Sequence, residues 1–187
     1  MYSTNEFRKG LRIEHQGKPY VIVESQFVSP GKGAAFTRTK LKNIETGQVV
    51  EITYKSGEKV PPADVEDKEM QYLYNDGKSY TFMDNATYDQ VTLTIEELGD
   101  SKYFIIENSM VNVTFFKGRA IGVDIDNFVE LEVAETQPNI KGDTSSGGGK
   151  PATMATGLTI TVPFHINVGD VLKVDTRTSE YVEKVKK

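Results

Sequence analysis

Met70-Gln71-Tyr72-Leu73-Tyr74-Asn75-Asp76-Gly77-Lys78-Ser79-Tyr80-Thr81-Phe82-Met83 reads as two aromatic strands joined by an Asp-Gly turn. It is the strongest short hairpin signal in the chain. Working outward, the same grammar recurs on both sides. Downstream, residues 111–116 and 119–125 flank a turn at Lys117-Gly118, and residues 128–133 open a further run after Asp126-Asn127. Upstream, Pro19-Tyr20-Val21-Ile22-Val23-Glu24, the alternating residues 36–43, and Val49-Val50-Glu51-Ile52-Thr53-Tyr54 after the turn at Glu45-Thr46-Gly47 are strands bounded by turn residues. Residues 157–164, a turn at 167–170, residues 171–176 and a last strand near Tyr181 complete the pattern. One short helix is predicted over residues 94–99, with Thr94 as N-cap, Glu97 three residues on and Gly99 to end it. The fold class is all-β.

Punctuation divides these strands into three small blocks. Lys59-Val60-Pro61-Pro62-Ala63 interrupts the first pattern, because consecutive prolines cannot continue a ladder. Asp126-Asn127 separates the second from the third. The expected domains are residues 1–63, 64–128 and 129–187. Residues 141–150 are rich in glycine and serine and read as an exposed loop or a linker. The loop reading is the better one, since the strands on either side are too few to stand alone.

Composition excludes several classes. The 187 residues include no cysteine, which removes disulfides, cysteine-zinc sites and thiol nucleophiles. No apolar run approaches the roughly 18 residues of a membrane span, and Met1-Tyr2-Ser3-Thr4-Asn5-Glu6 lacks a signal-peptide core. A soluble cytoplasmic monomer without a membrane partner is expected. The net charge of -5 is unevenly spread: +4 over residues 1–63, -8 over 64–128 and -1 over 129–187. Such asymmetry suits a basic end that meets phosphate, although unequal surface solvation explains it as simply.

Catalytic constellations are scarce. His15 and His165 lie 150 positions apart with no carboxylate cluster at metal spacing, so no metal site and no catalytic residue is assigned. Asp124 and Asp126 share a strand face but read as solvated acids. Gly147-Gly148-Gly149-Lys150 is followed by Pro151 and no helix, so it fails as a phosphate loop.

What remains is Ser29-Pro30-Gly31-Lys32-Gly33-Ala34-Ala35-Phe36, the tip between two strands. A lysine between glycines has no flanking bulk, and Pro30 stiffens the entry. A strand rises about 3.3 Å per residue, so a run near ten residues would carry the amine tens of ångströms. That suits a probe for a narrow anionic cavity. The ordinary alternative is a solvated turn.

At this loop the sequence resembles the elongation factor P family of bacterial translation factors. The resemblance rests on residues 3–11, on 27–36 with Arg38 and residues 40–43, on 70–77 and 82–85, and on 127–133. It continues through Ile140-Lys141-Gly142-Asp143-Thr144, Lys150-Pro151-Ala152-Thr153, Thr156-Gly157 and Val174-Asp175-Thr176-Arg177. These cover essentially the whole chain in order. The resemblance implies an SH3-like N-terminal domain followed by two OB-type barrels, in an elongated, tRNA-like shape. It implies a non-enzymatic factor that binds the 70S ribosome between the peptidyl and exit sites and relieves stalling at consecutive prolines. Lys32 would approach the end of peptidyl-tRNA among ribosomal RNA, with Pro30, Gly31 and Gly33 as its loop. No cofactor is implied, but a lysine-modifying enzyme could extend Lys32 with a β-lysyl or aminopentanol group. Gly142, Asp143 and Thr144 would contact the ribosome or tRNA from the third domain, as would Tyr181.

The sequence departs from the family pattern at Ser179-Glu180-Tyr181, where the family commonly has Gly-Glu-Tyr, and at Lys184, where it has Arg. Lysine keeps the charge without the bidentate contact. Competing readings are a paralogue with a longer, Arg-bearing tip, an OB-type single-stranded nucleic-acid-binding protein stacking on Tyr72, Tyr74, Tyr80 and Phe82, and a Schiff-base enzyme using a buried Lys32.

Overall fold

In the computed structural model, residues 1–138 and 148–186 are described. They form two compact units, Met1–Lys68 with Val113–Gly122, and Glu69–Asn112 with Val123–Lys187.

The first unit is built on β1 (Tyr2–Ser3), β2 (Arg12–His15), β3 (Lys18–Val28), β4 (Phe36–Asn43), β5 (Val49–Lys55) and β6 (Lys59–Val60). β2 to β5 make an antiparallel sheet in chain order, and β1 pairs with β6. β4 alternates strictly: Thr37, Thr39, Leu41 and Asn43 are buried, and Arg38, Lys40 and Lys42 are exposed. One face of this central strand therefore joins the core of Leu11, Ile13, Ile22, Leu41, Tyr54 and Val60, while the other is a row of cations. Pattern reading finds three strands here. The short β1, β2 and β6 escape it because tertiary pairing, not alternation, recruits them. The prolines stay attached by accepting instead of donating: Glu14 N–H donates to the Pro61 carbonyl at 2.9 Å.

The middle strands are β7 (Val65–Asn75), β8 (Ser79–Met83), β9 (Gln90–Thr94), β10 (Met110–Phe116) and β11 (Arg119–Asp124), in sheet order β11-β10-β7-β8-β9. The Asp-Gly hairpin forms as its sequence dictates. Asp76 Oδ1 accepts the backbone N–H of Lys78 and Ser79 at 2.9 and 2.8 Å, and Gly77 takes φ +86°. These donors hold the Asp76 carboxyl below its usual range. Alternation fails at one point. Tyr72 faces Phe82 but Tyr74 faces Thr81, so Leu73 is an extra residue in the ladder. The bulge buries Tyr72 and Phe82 and leaves Tyr74 54% exposed, where plain alternation would bury it. The short helix α1 (Ile95–Leu98) is capped by Thr94, which accepts from Glu97 N–H at 3.1 Å, and it ends on Gly99 at φ +56°.

The last sheet comprises β12 (Phe128–Thr136), β13 (Lys150–Met154), β14 (Thr159–Val162), β15 (Val171–Asp175) and β16 (Glu180–Lys184), in order β14-β13-β12-β15-β16. Its inward residues, Leu131, Val133, Met154, Val162, Leu172 and Val174 among them, form one core with Phe104. Here the loop reading of residues 141–150 needs correction at its end. Lys150 is only 5% exposed and opens β13. Its ammonium donates to the Gln137 carbonyl, which gives one of its N–H groups an acceptor while the stem packs. Among the described residues, no helix is long and apolar enough to cross a membrane.

Candidate functional site: the β3–β4 loop

β3 and β4 pair from Tyr20↔Asn43 to Val28↔Phe36, leaving a seven-residue loop, residues 29–35. One irregularity lies in this ladder: Ile22 faces Leu41 and Glu24 faces Lys40, so Val23 is bulged. Bulges sharpen local twist. The cross-strand rows sort the faces. Ser25-Thr39-Ile52 and Phe27-Thr37-Tyr54 lie on the core side, and Glu24-Lys40-Glu51 and Gln26-Arg38-Thr53 on the outer side.

Burial along β4 continues as far as Thr37, which is 3% exposed. The length of strand standing clear of the core is therefore shorter than a ten-residue run. What projects is the final Val28-Phe36-Lys55 row and the loop itself.

Within the loop, Gly31, Lys32 and Gly33 are exposed and Pro30 is half-buried. Gly33 adopts φ +105°, a backbone that L side chains rarely take, while Gly31 does not. A Cβ at Gly31 would meet nothing within 4 Å, and one at Gly33 only the Pro30 ring at 3.9 Å. The loop is thus open on all sides that its glycines touch. The loop is tied at its far end, where Ser56 N–H donates to the Ala35 carbonyl at 3.2 Å.

Charge pairing distinguishes the cations near this loop. Lys40 reaches Glu24 at 3.1 Å and Arg38 reaches Glu51 at 3.5 Å. Arg38 also lies over the Phe36 ring, 5.9 Å from its centroid. Among the described residues, Lys32 and Lys42 have no carboxylate partner. Charge counting along the chain could not make this distinction, because the pairing is set by the β3–β4–β5 register. Exposed pairs of this kind are worth at most about 1 kcal/mol, so Arg38 and Lys40 can still exchange partners.

The other sequence-predicted residues are not brought to this loop by any described contact. Tyr181 is half-buried on β16 and packs against the C-terminal core. It also lines a groove with Pro151, Thr161 and Ser179. Lys184 is held by Asp170 at 3.3 Å. The Asp170 carboxyl lies below its usual range, first through Asn167 N–H and then through Lys184. Gly142, Asp143 and Thr144 fall outside the described residues. His15 is a structural aromatic: its Nδ1 lies 3.1 Å from the Tyr54 hydroxyl.

Comparison with known proteins decides the family. The elongation factor P KOW-like domain matches residues 3–60, the elongation factor P OB domain residues 65–123, and the elongation factor P C-terminal domain residues 129–184. The elongation factor P of Pelotomaculum thermopropionicum is 56% identical over 185 residues, covering 99% of this chain and 100% of that one. Those of Carboxydothermus hydrogenoformans and Bdellovibrio bacteriovorus are each 54% identical, again over 99% of this chain.

The chain belongs to the elongation factor P family.

Its function is that of a translation elongation factor, not that of an OB-type single-stranded nucleic-acid-binding protein without a ribosomal role. Among solved structures, translation initiation factor 5A from Methanococcus jannaschii matches with a TM-score of 0.53 at 21% identity, covering 66% of this chain and 93% of that one. A translation initiation factor 5A family protein from Naegleria fowleri gives a TM-score of 0.52 at 20% identity, covering 66% and 94%. At such identity the likeness is one of fold, and it agrees with the all-β, KOW- and OB-type architecture of the elongation factor P family.

Proposed function

We propose that this factor binds the ribosome between the peptidyl and exit sites and relieves stalling at consecutive prolines, with Lys32 positioning peptidyl-tRNA. The observation that carries the reading is an exposed lysine between two exposed glycines, at the tip of a strand pair in a member of this family. Proline is a poor nucleophile in a restricted geometry, so its slow step is largely one of orientation. A cation that enters an RNA cavity can neutralise phosphate and hold the substrate, while the ribosome carries the reaction. Lys32 is then a positioning group and the factor is not an enzyme. A Schiff-base role needs a buried amine, and this one is exposed.

The same reading gives residues 1–63, 64–128 and 129–187 as functional domains of a cytoplasmic monomer. Pro30, Gly31 and Gly33 shape the tip, and Gly142, Asp143, Thr144 and Tyr181 contact ribosome or tRNA from the third domain. The amine is accessible to a modifying enzyme, and a β-lysyl or aminopentanol extension would lengthen its reach without altering the loop. Intact mass spectrometry of the protein from its native host reads that extension directly.

Toeprinting on a message encoding consecutive prolines tests the central claim. Wild type is expected to clear the stall and Lys32→Ala to leave it. Equal clearance by both would remove Lys32 from the mechanism.

A further inference from the structure

We infer that Phe27 stacks on an unpaired nucleobase of the RNA cavity into which Lys32 is inserted. The inference rests on the ribosomal reading above and adds a second contact to it.

Phe27 lies on β3, two residues before the tip loop begins. It belongs to the core-facing row Phe27-Thr37-Tyr54. Thr37 and Tyr54 in that row are 3% and 4% exposed, yet Phe27 is 61% exposed. The reason is where its neighbours end. β2 pairs with β3 only as far as Val21, and the Gly10 and Leu11 backbone carries the edge one residue further, to Ile22. Beyond that point β3 has β4 on one side and, among the described strands, nothing on the other.

The ring is also chemically unengaged. Among the described residues it makes no aromatic pair and no cation–π contact, whereas Phe36 on the opposite face is covered by Arg38. Leaving a phenylalanine in water forgoes the burial that stabilises most aromatic side chains. A single exposed apolar side chain is by itself ordinary. Its surroundings decide the matter here. From Ser25 to Ile44 the chain has not one carboxylate, in a protein of net charge -5. Arg38, Lys40 and Lys42 lie on the outer face, the first two paired with Glu51 and Glu24. Lys32, in the loop that follows Phe27, has no carboxylate partner among the described residues. An unpaired cation in the loop that follows an open aromatic ring, in a stretch free of acids, is the combination that binds unpaired nucleic acid, charge on phosphate and ring on base. An apolar protein partner would not require this stretch to be free of acids, whereas a phosphate backbone repels them. The strand spacing of about 3.3 Å per residue puts the Phe27 backbone roughly 7 Å from the loop's first residue, so the ring lies at the base of the loop that carries Lys32.

The test is a ring series at position 27, comparing Phe27→Trp, Phe27→Leu and Phe27→Ala for affinity to ribosomes stalled at consecutive prolines. Stacking predicts that Leu and Ala bind about 5- to 100-fold more weakly than wild type, and that Trp binds at least as tightly. All should melt close to wild type, because the side chain is mostly exposed. Phe27→Leu binding as tightly as wild type would overturn the inference. A photo-crosslinking benzoylphenylalanine at position 27 gives a second readout. Attachment to a nucleotide supports stacking; attachment to ribosomal protein alone overturns it. Because affinity and crosslink identity are measured, not stall clearance, failure of the Phe27 inference is distinguishable from an inactive role for Lys32.

Discussion

The Tyr54 hydroxyl lies 3.1 Å from Nδ1 of His15, inside a cluster where Phe7 meets the Tyr54 ring edge-on at 5.4 Å. Burial, and then the nearby Glu58 and Tyr20, push the Tyr54 phenol up to about 12 from an ordinary value of 10.0. The folded state thus disfavours the phenolate. The stability tied to this group is fully present below pH 10 and is lost as pH rises from 10 towards 12. Tyr54→Phe should lose about 0.5–1.5 kcal/mol at neutral pH, the value of one hydrogen bond, and should show a shallower decline above pH 10. Urea denaturation across pH 7–12 measures both, and a wild-type-like alkaline slope in the variant would contradict the assignment.

Ser179 predicts a stabilising change. It turns the β15–β16 hairpin at φ +59°, with its N–H donating to the Asp175 carbonyl at 2.8 Å. A side chain in the left-handed region costs about 1–2 kcal/mol, partly offset by the greater chain entropy of glycine. Ser179→Gly is expected to gain about 0.5–1 kcal/mol, seen as a higher urea midpoint with unchanged slope.

Asp67 joins two parts of the first unit. Its Oδ2 accepts from Arg12 at 2.9 Å and its Oδ1 accepts the Thr114 hydroxyl at 2.9 Å. The Arg12 and Asp67 side chains are 38% and 31% exposed, so solvent screens their pairing. A double-mutant cycle between Arg12→Ala and Asp67→Ala should give a coupling of at most about 1 kcal/mol. Asp67→Asn should cost less than Asp67→Ala, because the amide oxygen still accepts from Thr114. Equal losses would mean that the hydroxyl bond contributes nothing.

The legible parts of this molecule are those fixed by local pattern. The alternation of residues 36–43, the Asp76-Gly77 turn and the Thr94 cap each encode their geometry within a few residues, and each appears at those positions. The tip loop was legible for the same reason, since it is bounded by two strong strands. What local pattern could not carry was tertiary. The Leu73 and Val23 bulges depend on the partner strand, and they decide that Tyr74 is outside and that Phe27 shares a row with Tyr54. Lys150 looked like the end of a polar loop because its burial depends on the Gln137 carbonyl, thirteen residues away. The loss of two β4 cations to Glu24 and Glu51 likewise follows from register alone.

The two glycines beside Lys32 should respond differently to alanine, and the difference isolates backbone shape from bulk. Both positions have room for a methyl group, with nothing closer than 3.9 Å. Only Gly33, at φ +105°, holds a backbone that alanine resists. Gly31→Ala should therefore leave the loop path intact. Gly33→Ala should force the chain after Lys32 into another basin and redirect the amine. Because the loop contributes little burial, both variants should melt within about 1 kcal/mol of wild type. Displacement of a positioning group by about an ångström can cost on the order of a hundredfold in rate. On consecutive-proline messages, Gly33→Ala is expected to clear stalls far more slowly than Gly31→Ala, with Lys32→Ala slowest. Equal impairment by both alanines, at unchanged melting temperature, would mean that steric bareness around Lys32 matters and the φ of Gly33 does not.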